Sequence, residues 1–265
     1  RGDAGAIFLE GDKNATISNS RFTNIQSTEE GGAIEVTGSG SVSIFNSTFT
    51  NTTSGKDGGA ISTEISNLFI SNCTFNDTTA RYGAGGAIYS WSANITVSNS
   101  QFINNMAKDD GGAIKGENVT VISSSFIDNV AFGDGASIYA SGLNLKDSTF
   151  NSPKADGSAI IHIKSSNNDT VNLNNNTIKS NLPAIYNDGG IIISPTTLTF
   201  NNVKVEKDDN AILTAVLTDD NGNIIGSNTP VTGTVNGTNV TFPFNETTMK
   251  FSVVYNETAV EGEYP

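Results

Sequence analysis

Residues 85–102 read Gly-Gly-Ala-Ile-Tyr-Ser-Trp-Ser-Ala-Asn-Ile-Thr-Val-Ser-Asn-Ser-Gln-Phe. The same frame runs from Gly58-Gly59-Ala60-Ile61 to Phe75 and from Gly31-Gly32-Ala33-Ile34 to Phe49. Followed outward, a small-residue pair before Ala-Ile or a variant of it recurs at Ile7, Ile34, Ile61, Ile88, Ile114, Ile138, Ile160 and Ile185. A second marker follows a polar run: Phe22, Phe49, Phe75, Phe102, Phe126, Phe150 and then Ile178. Five residues before each stand Ile17, Ile44, Ile70, Val97, Val121, Leu145 and Leu173, and seven before stand Ala15, Val42, Leu68, Ile95, Val119, Leu143 and Val171. These columns keep their mutual spacing while the segments between them absorb length differences, which is the mark of a structural repeat.

Each repeat holds three short extended segments, carrying the Ala-Ile pair, the apolar-x-apolar pair and the Phe. Side chains alternate along a strand, so the column residues point one way. One repeat cannot bury them alone, whereas stacking repeats buries ladders of like residues. The expected fold is all-β: a right-handed parallel β-helix of about eight coils over residues 1–194, with three strands per coil. At roughly 4.8 Å per coil it forms a rod on the order of 40 Å long. Three residues before the Phe marker come Asn19, Asn46, Asn72, Asn99, Ser123, Asp147 and Asn175. Two residues after it come Asn24, Asn51, Asp77, Asn104, Asp128, Ser152 and Ser180. Asn and Asp tolerate left-handed backbone, so these columns predict corners.

After Pro195 the repeat stops. Alternating segments at Leu198–Glu206, Ala211–Thr218, Val231–Val235, Asn239–Phe244 and Lys250–Tyr255, with a hairpin turn at Asp220-Asn221-Gly222-Asn223, predict an incomplete Ig-like β-sandwich over 195–265. The chain starts in mid-pattern and stops before a full set of strands, so a longer native protein is expected.

Composition sets bounds on function. The 14 Lys+Arg against 27 Asp+Glu leave a formal charge of −13, which disfavours nucleic acid and anionic lipid surfaces as partners. No apolar run approaches the ~18–20 residues of a membrane span, so this fragment is not expected to insert directly in a membrane. The single cysteine, Cys73, excludes a disulfide framework.

The Gly-Gly-Ala-Ile motif at 31–34, 58–61, 85–88 and 111–114, each followed by a Phe-centred motif such as Phe102-Ile103-Asn104-Asn105, resembles the repeats of chlamydial polymorphic outer-membrane proteins. Together with a bacterial-type Ig-like module, the whole is similar to adhesin-like surface proteins of methanogenic archaea. The pattern departs at Phe22, Phe49 and Phe75, which lack Asn three residues on, and softens to Gly-Ala-Ser-Ile and Gly-Ser-Ala-Ile in later coils. The resemblance implies an extracellular cell-surface adhesin or stalk that attaches to a glycan or protein of another cell. It brings no catalytic residue with it.

The residues support a non-catalytic reading. Sugar-cleaving sites need clustered carboxylates with a base. The sole histidine, His162, stands two residues after Ile160 and is expected to point inward with Leu9, Val36 and Ala140. A carboxylate column (Asp3, Glu30, Asp57, Asp110, Asp134, Asp156) caps glycine-rich turns on one reading and holds calcium between coils, at Asp110 and Asp134, on the other. No other cofactor is expected. Arg1-Gly2-Asp3 occupies the place of a turn in the repeat rather than a cell-attachment motif.

One residue after the Ile column, facing out, come Phe8, Glu35, Ser62, Tyr89, Lys115, Tyr139, Ile161 and Tyr186. Tyr89 and Trp91, with Glu64 and Glu117 on adjacent coils and Tyr139 beyond, form a candidate ligand patch, since aromatic faces edged by acceptors suit sugars and protein loops. Sequons facing outward or in loops make Asn14, Asn76, Asn94, Asn118, Asn168, Asn236, Asn239, Asn245 and Asn256 candidate N-glycosylation sites. The alternatives are a passive envelope stalk, a polysaccharide-processing enzyme and a viral receptor-binding spike.

Overall fold

The computed structural model describes residues 4–12, 14–64, 67–152, 155–165, 169–189, 191–192, 197–201, 203–205, 210–227, 230–235, 238–255 and 262–264. Equal positions of successive repeats lie on one another in parallel register. Ile7 pairs with Ile34, Ile34 with Ile61, Ile61 with Ile88, Ile88 with Ile114 and Ile114 with Ile138. The phenylalanines Phe22 to Phe150 form an unbroken stack, with ring centroids 4.6–4.8 Å apart and planes within 7°. The isoleucine, apolar-x-apolar and phenylalanine columns meet in one buried core that runs the length of the rod.

The motif's two glycines do different work. The first (Gly31, Gly58, Gly85, Gly111, Gly135) has φ between +57° and +68°, a left-handed turn open to glycine. The second has no room: a Cβ on Gly59 would lie 2.1 Å from the Gly86 carbonyl oxygen of the next rung. At the corners, Asn19, Asn46, Asn72, Asn99, Ser123, Asp147 and Asn175 all have positive φ, as do Asn24, Asn51, Asp77, Asn104 and Asp128. Their amides bond along the axis, Asn51 Nδ2 donating to Asn24 Oδ1 at 2.8 Å and Asn175 Nδ2 to Asp147 Oδ1 at 2.8 Å. Ser152 and Ser180 leave the second column: both sit inside strands (Thr149–Ser152 and Thr177–Ser180) without the left-handed turn. Buried Asn105 and Asn129, three residues after their phenylalanines, donate to the Phe75 and Phe102 carbonyls and bond to each other.

Three expectations need correction. The solenoid makes about seven turns rather than eight: the phenylalanine sheet has seven strands, and among the described residues the eighth coil contributes Ile185–Asp188 and Ile191–Ile192. Four rungs carry a fourth, two-residue strand in addition to the expected three: Thr53–Ser54, Thr79–Ala80, Met106–Ala107 and Val130–Ala131. The ladder member of the seventh rung is Ile161, paired with Ile138 and Ile185, not Ile160. Ile160 takes the column of Ala113 and Ser137, as its carbonyl accepts from Ser137 N–H just as Ser137 accepts from Ala113.

Beyond the solenoid the strands turn antiparallel. Thr197–Phe200, Ala211–Thr218, Lys250–Tyr255 and Phe244–Asn245 form one sheet in that spatial order. The hairpin Val231–Val235/Thr238–Phe242 packs Val235, Val240 and Phe242 on Ala211, Leu213, Ala215 and Phe251. The expected turn forms at 219–223, with Gly222 at φ +78° and Asp219 N–H donating to the Asn223 carbonyl. It also covers the end of the rod. Asn221 and Asn223 Nδ2 each donate to the Asn176 carbonyl at 2.9 Å, Asp220 accepts from Asn175 N–H, and Asn223 Oδ1 accepts from Ile178 N–H. Ile225–Ser227 then adds a parallel strand beside Ile185–Asp188 and puts Ile225 into the solenoid core.

Candidate binding site on the outer face of the isoleucine sheet

Because alternate residues of the ladder strands face out, one column displays Phe8, Glu35, Ser62, Tyr89, Lys115, Tyr139, His162 and Tyr186 in register. At its middle lies a shallow hollow of about 160 Å³, lined by Tyr89, Ser90, Trp91, Lys115, Gly116, Glu117, Tyr139 and Ser141. Four of the five residues expected to bind ligand, Tyr89, Trp91, Glu117 and Tyr139, therefore come together. Glu64 is exposed and does not line the hollow; it stands one rung before Trp91, whose N–H donates to the Thr63 carbonyl. Trp91 is 69% exposed, because it sits at the tip of the short turn between Ile88–Ser90 and Asn94–Ser98, fastened by Ala93 N–H donating to Ser90 Oγ at 2.7 Å. Tyr89 is largely covered and is 8% exposed.

Lys115 is the member that the aromatic pattern did not single out. Its Nζ lies 3.0 Å from Asp110 Oδ2 and 5.0 Å from the centre of the Tyr139 ring. The other Asp110 oxygen accepts from Asp134 N–H at 2.9 Å. This alters the calcium expectation for Asp110 and Asp134. An ammonium occupies the cation's place at Asp110, and among the described residues no group of three His, Cys, Asp or Glu side chains could hold a metal. The carboxylates cap backbone of the following rung: Asp57 Oδ1 accepts from Ala84 N–H at 2.7 Å. Asp3 lies outside the described residues, as does the whole Arg1-Gly2-Asp3 turn.

His162 does not point inward. With Ile161 on the ladder, His162 faces out between Tyr139 and Tyr186, each ring centroid 5.2 Å away, while Ile161 and Ile163 turn into the core. Its Nδ1 bonds to Ser158 Oγ at 2.9 Å and lies 3.7 Å from Asp134 Oδ1, and Nε2 is buried without a partner. Burial beneath the two tyrosines pushes its pKa down, against the opposing pull of Asp134, Asp188 and Asp110. Burial likewise pushes the Tyr139 hydroxyl up to about 12, helped by Asp110, Asp134 and Asp188, and raises Tyr89 beside Asp57, Glu30 and Glu64.

This rod of parallel rungs has a counterpart among known families. The family model for the right handed beta helix region matches residues 5–178. The chain belongs to that family. Neither the curated proteins nor the solved structures yielded a match. On this right-handed β-helix the candidate glycosylation positions Asn14, Asn94 and Asn118 are exposed and Asn76 is half-buried, bonded to Asp77. Asn239 and Asn245 are exposed in the antiparallel region, and Asn168, Asn236 and Asn256 lie outside the described residues.

The β-helix should lose stability as His162 is titrated. The folded state takes up the proton less readily than the unfolded chain, whose histidine titrates near pH 6.5. Stability therefore falls as pH drops through that value and levels off below the lowered folded pKa. Thermal unfolding from neutral pH down to pH ~5 should show this decline. His162→Phe, which keeps a ring between Tyr139 and Tyr186, should flatten it; equal slopes in the two proteins contradict the assignment.

Proposed function

We propose that the chain is a stretch of an extracellular cell-surface adhesin, non-catalytic, in which the β-helix is a stiff display rod and the hollow around Trp91 is the contact surface. The antiparallel region is read as an Ig-like module that spaces or links the rod, and its exposed sequons suit a glycosylated surface protein. The observation that carries this reading is that the exposed Trp91 shares one hollow with Tyr89 and Tyr139, whereas Tyr82 and Phe132, also exposed on the rod, do not line it. A large exposed aromatic beside further rings and polar edges is the usual make-up of a binding hot spot. The resemblance to chlamydial repeats and to adhesin-like proteins of methanogenic archaea points the same way. Fold alone does not decide activity, since one architecture hosts many functions. The non-catalytic reading is supported by the groups themselves: His162 is walled in by two tyrosines with Nδ1 held by Ser158, and Asp110 is committed to Lys115.

The test is binding of labelled protein to whole cells and to a glycan array, with Trp91→Ala beside the parent. The substitution is at an exposed turn tip, so folding is retained. Binding should weaken by roughly tenfold or more, the loss typical of an aromatic anchor. Undiminished binding removes the hollow as the contact surface and favours a passive stalk, and release of products from polysaccharides favours an enzyme.

A further inference from the structure

We propose that the hollow recognises a cationic side chain, a lysine or arginine presented by a protein partner. The proposal rests on the attachment reading above and names its partner chemistry. Trp91 stands between two carboxylates along the rod axis: Glu64 one rung before it, and Glu117 one rung after it on the rim of the hollow. Glu30 and Asp57 lie close enough to Tyr89 to raise its hydroxyl pKa, and Glu30 is held in place by a 2.8 Å bond from Ser62 Oγ. Rings with carboxylates at their edges form a cage for positive charge, because the ring faces are negative and the carboxylates add to that field.

The molecule already shows this chemistry once. Lys115 lays its ammonium over the Tyr139 ring and against Asp110, so the far wall of the hollow holds a cation on an aromatic face. That pairing neutralises Lys115 and leaves Glu64 and Glu117 exposed for an incoming charge. The chain's formal charge of −13 favours a basic partner at long range and repels an anionic one. A neutral sugar could stack on the rings and donate hydroxyl hydrogen bonds to the carboxylates, but it would gain nothing from the chain's net negative charge, which a cationic side chain does.

Trp91 is the chain's single tryptophan, so its fluorescence reports occupancy of the hollow directly. The probes are an acetylated, amidated hexalysine peptide, the matching hexaglutamate peptide, and a neutral chito-oligosaccharide. Hexalysine should give a saturable change in emission that weakens about tenfold between roughly 20 and 200 mM salt, as screening shortens the reach of exposed charges. It should also weaken at least several-fold in the Glu64→Gln/Glu117→Gln variant, which keeps Trp91 and the fold. Silence with hexalysine, or an unchanged affinity in the double Gln variant, overturns the proposal. A saturable response to the oligosaccharide but not to hexalysine overturns it too. If Trp91→Ala abolishes cell binding while hexalysine is silent, the attachment reading stands and only the cationic partner falls; undiminished cell binding in Trp91→Ala removes both.

Discussion

Gly86→Ala should prevent the β-helix from assembling its middle rungs. The position is not a special backbone angle; it is a point of contact between rungs. A Cβ there would lie 2.1 Å from the Gly112 carbonyl oxygen and 2.6 Å from the Met106 carbonyl carbon, both backbone atoms that cannot swing aside. The same collision is repeated at Gly32, Gly59 and Gly112 against the carbonyls of the rungs that follow. Relief requires prising neighbouring rungs apart, which would stretch the backbone bonds of Gly86 N–H to Gly111 and Ala87 N–H to Ala113 and open the core beneath them. The expected loss belongs with the exceptional single substitutions, above about 4–5 kcal/mol. Circular dichroism and limited proteolysis of the purified variant would reveal it. The sixth position of this column is natively Ala136, where the next rung no longer carries the Gly-Gly-Ala-Ile frame. Ala136→Gly should therefore be far milder than Gly86→Ala. A Gly86→Ala protein that melts like the parent would mean the rungs are not packed as described.

Phe102→Ala should be the next most damaging change. Phe102 is fully buried, stacked 4.8 Å from Phe75 and 4.7 Å from Phe126. Truncation removes its transfer free energy and both stacking contacts, and the flanking rungs cannot collapse into the gap because their spacing is fixed by backbone pairing. A cost of roughly 3–5 kcal/mol follows. Urea denaturation would register a lower midpoint, while Phe22→Ala, at the end of the stack with one ring neighbour and 6% exposed, should lose clearly less. Equal losses at the two positions would contradict a stack stabilised by nearest neighbours.

The ladder columns were legible in the sequence because stacking places like residue on like residue, so the repeat is itself a list of contacts. The corners were legible for the same reason, through Asn and Asp at fixed offsets. Ile160 misled because Ala159-Ile160 carries the same two letters as the motif one position early, and a variable interval cannot tell 22 residues from 23. Only the paired backbone at Ile138, Ile161 and Ile185 fixes the register, and a one-residue slip turns His162 from the core to the outer face. The two-residue fourth strands are too short to show an alternation, and their residues vary from Thr53–Ser54 to Met106–Ala107 and Val130–Ala131, so the buried Ala80, Ala107 and Ala131 did not stand out as a column. Of the patch read from the sequence, Tyr89, Trp91, Glu117 and Tyr139 line the hollow and Glu64 does not. Lys115 was already visible in the outward column between Tyr89 and Tyr139, but its partner Asp110 comes from a different column, five residues earlier.

The turn at 219–223 was legible as a turn but not as a lid, since its partners Asn175, Asn176 and Ile178 lie some 45 residues away. Its consequence concerns solubility. Parallel rungs propagate without limit unless something stops them, and a flat terminal rung invites another molecule to continue the pattern. Asp219 to Ser227 supply that stop by spending side-chain amides and one short strand on the final rung. Were Asp219–Ser227 detached, the backbone of that last rung would lie open for another strand to pair with.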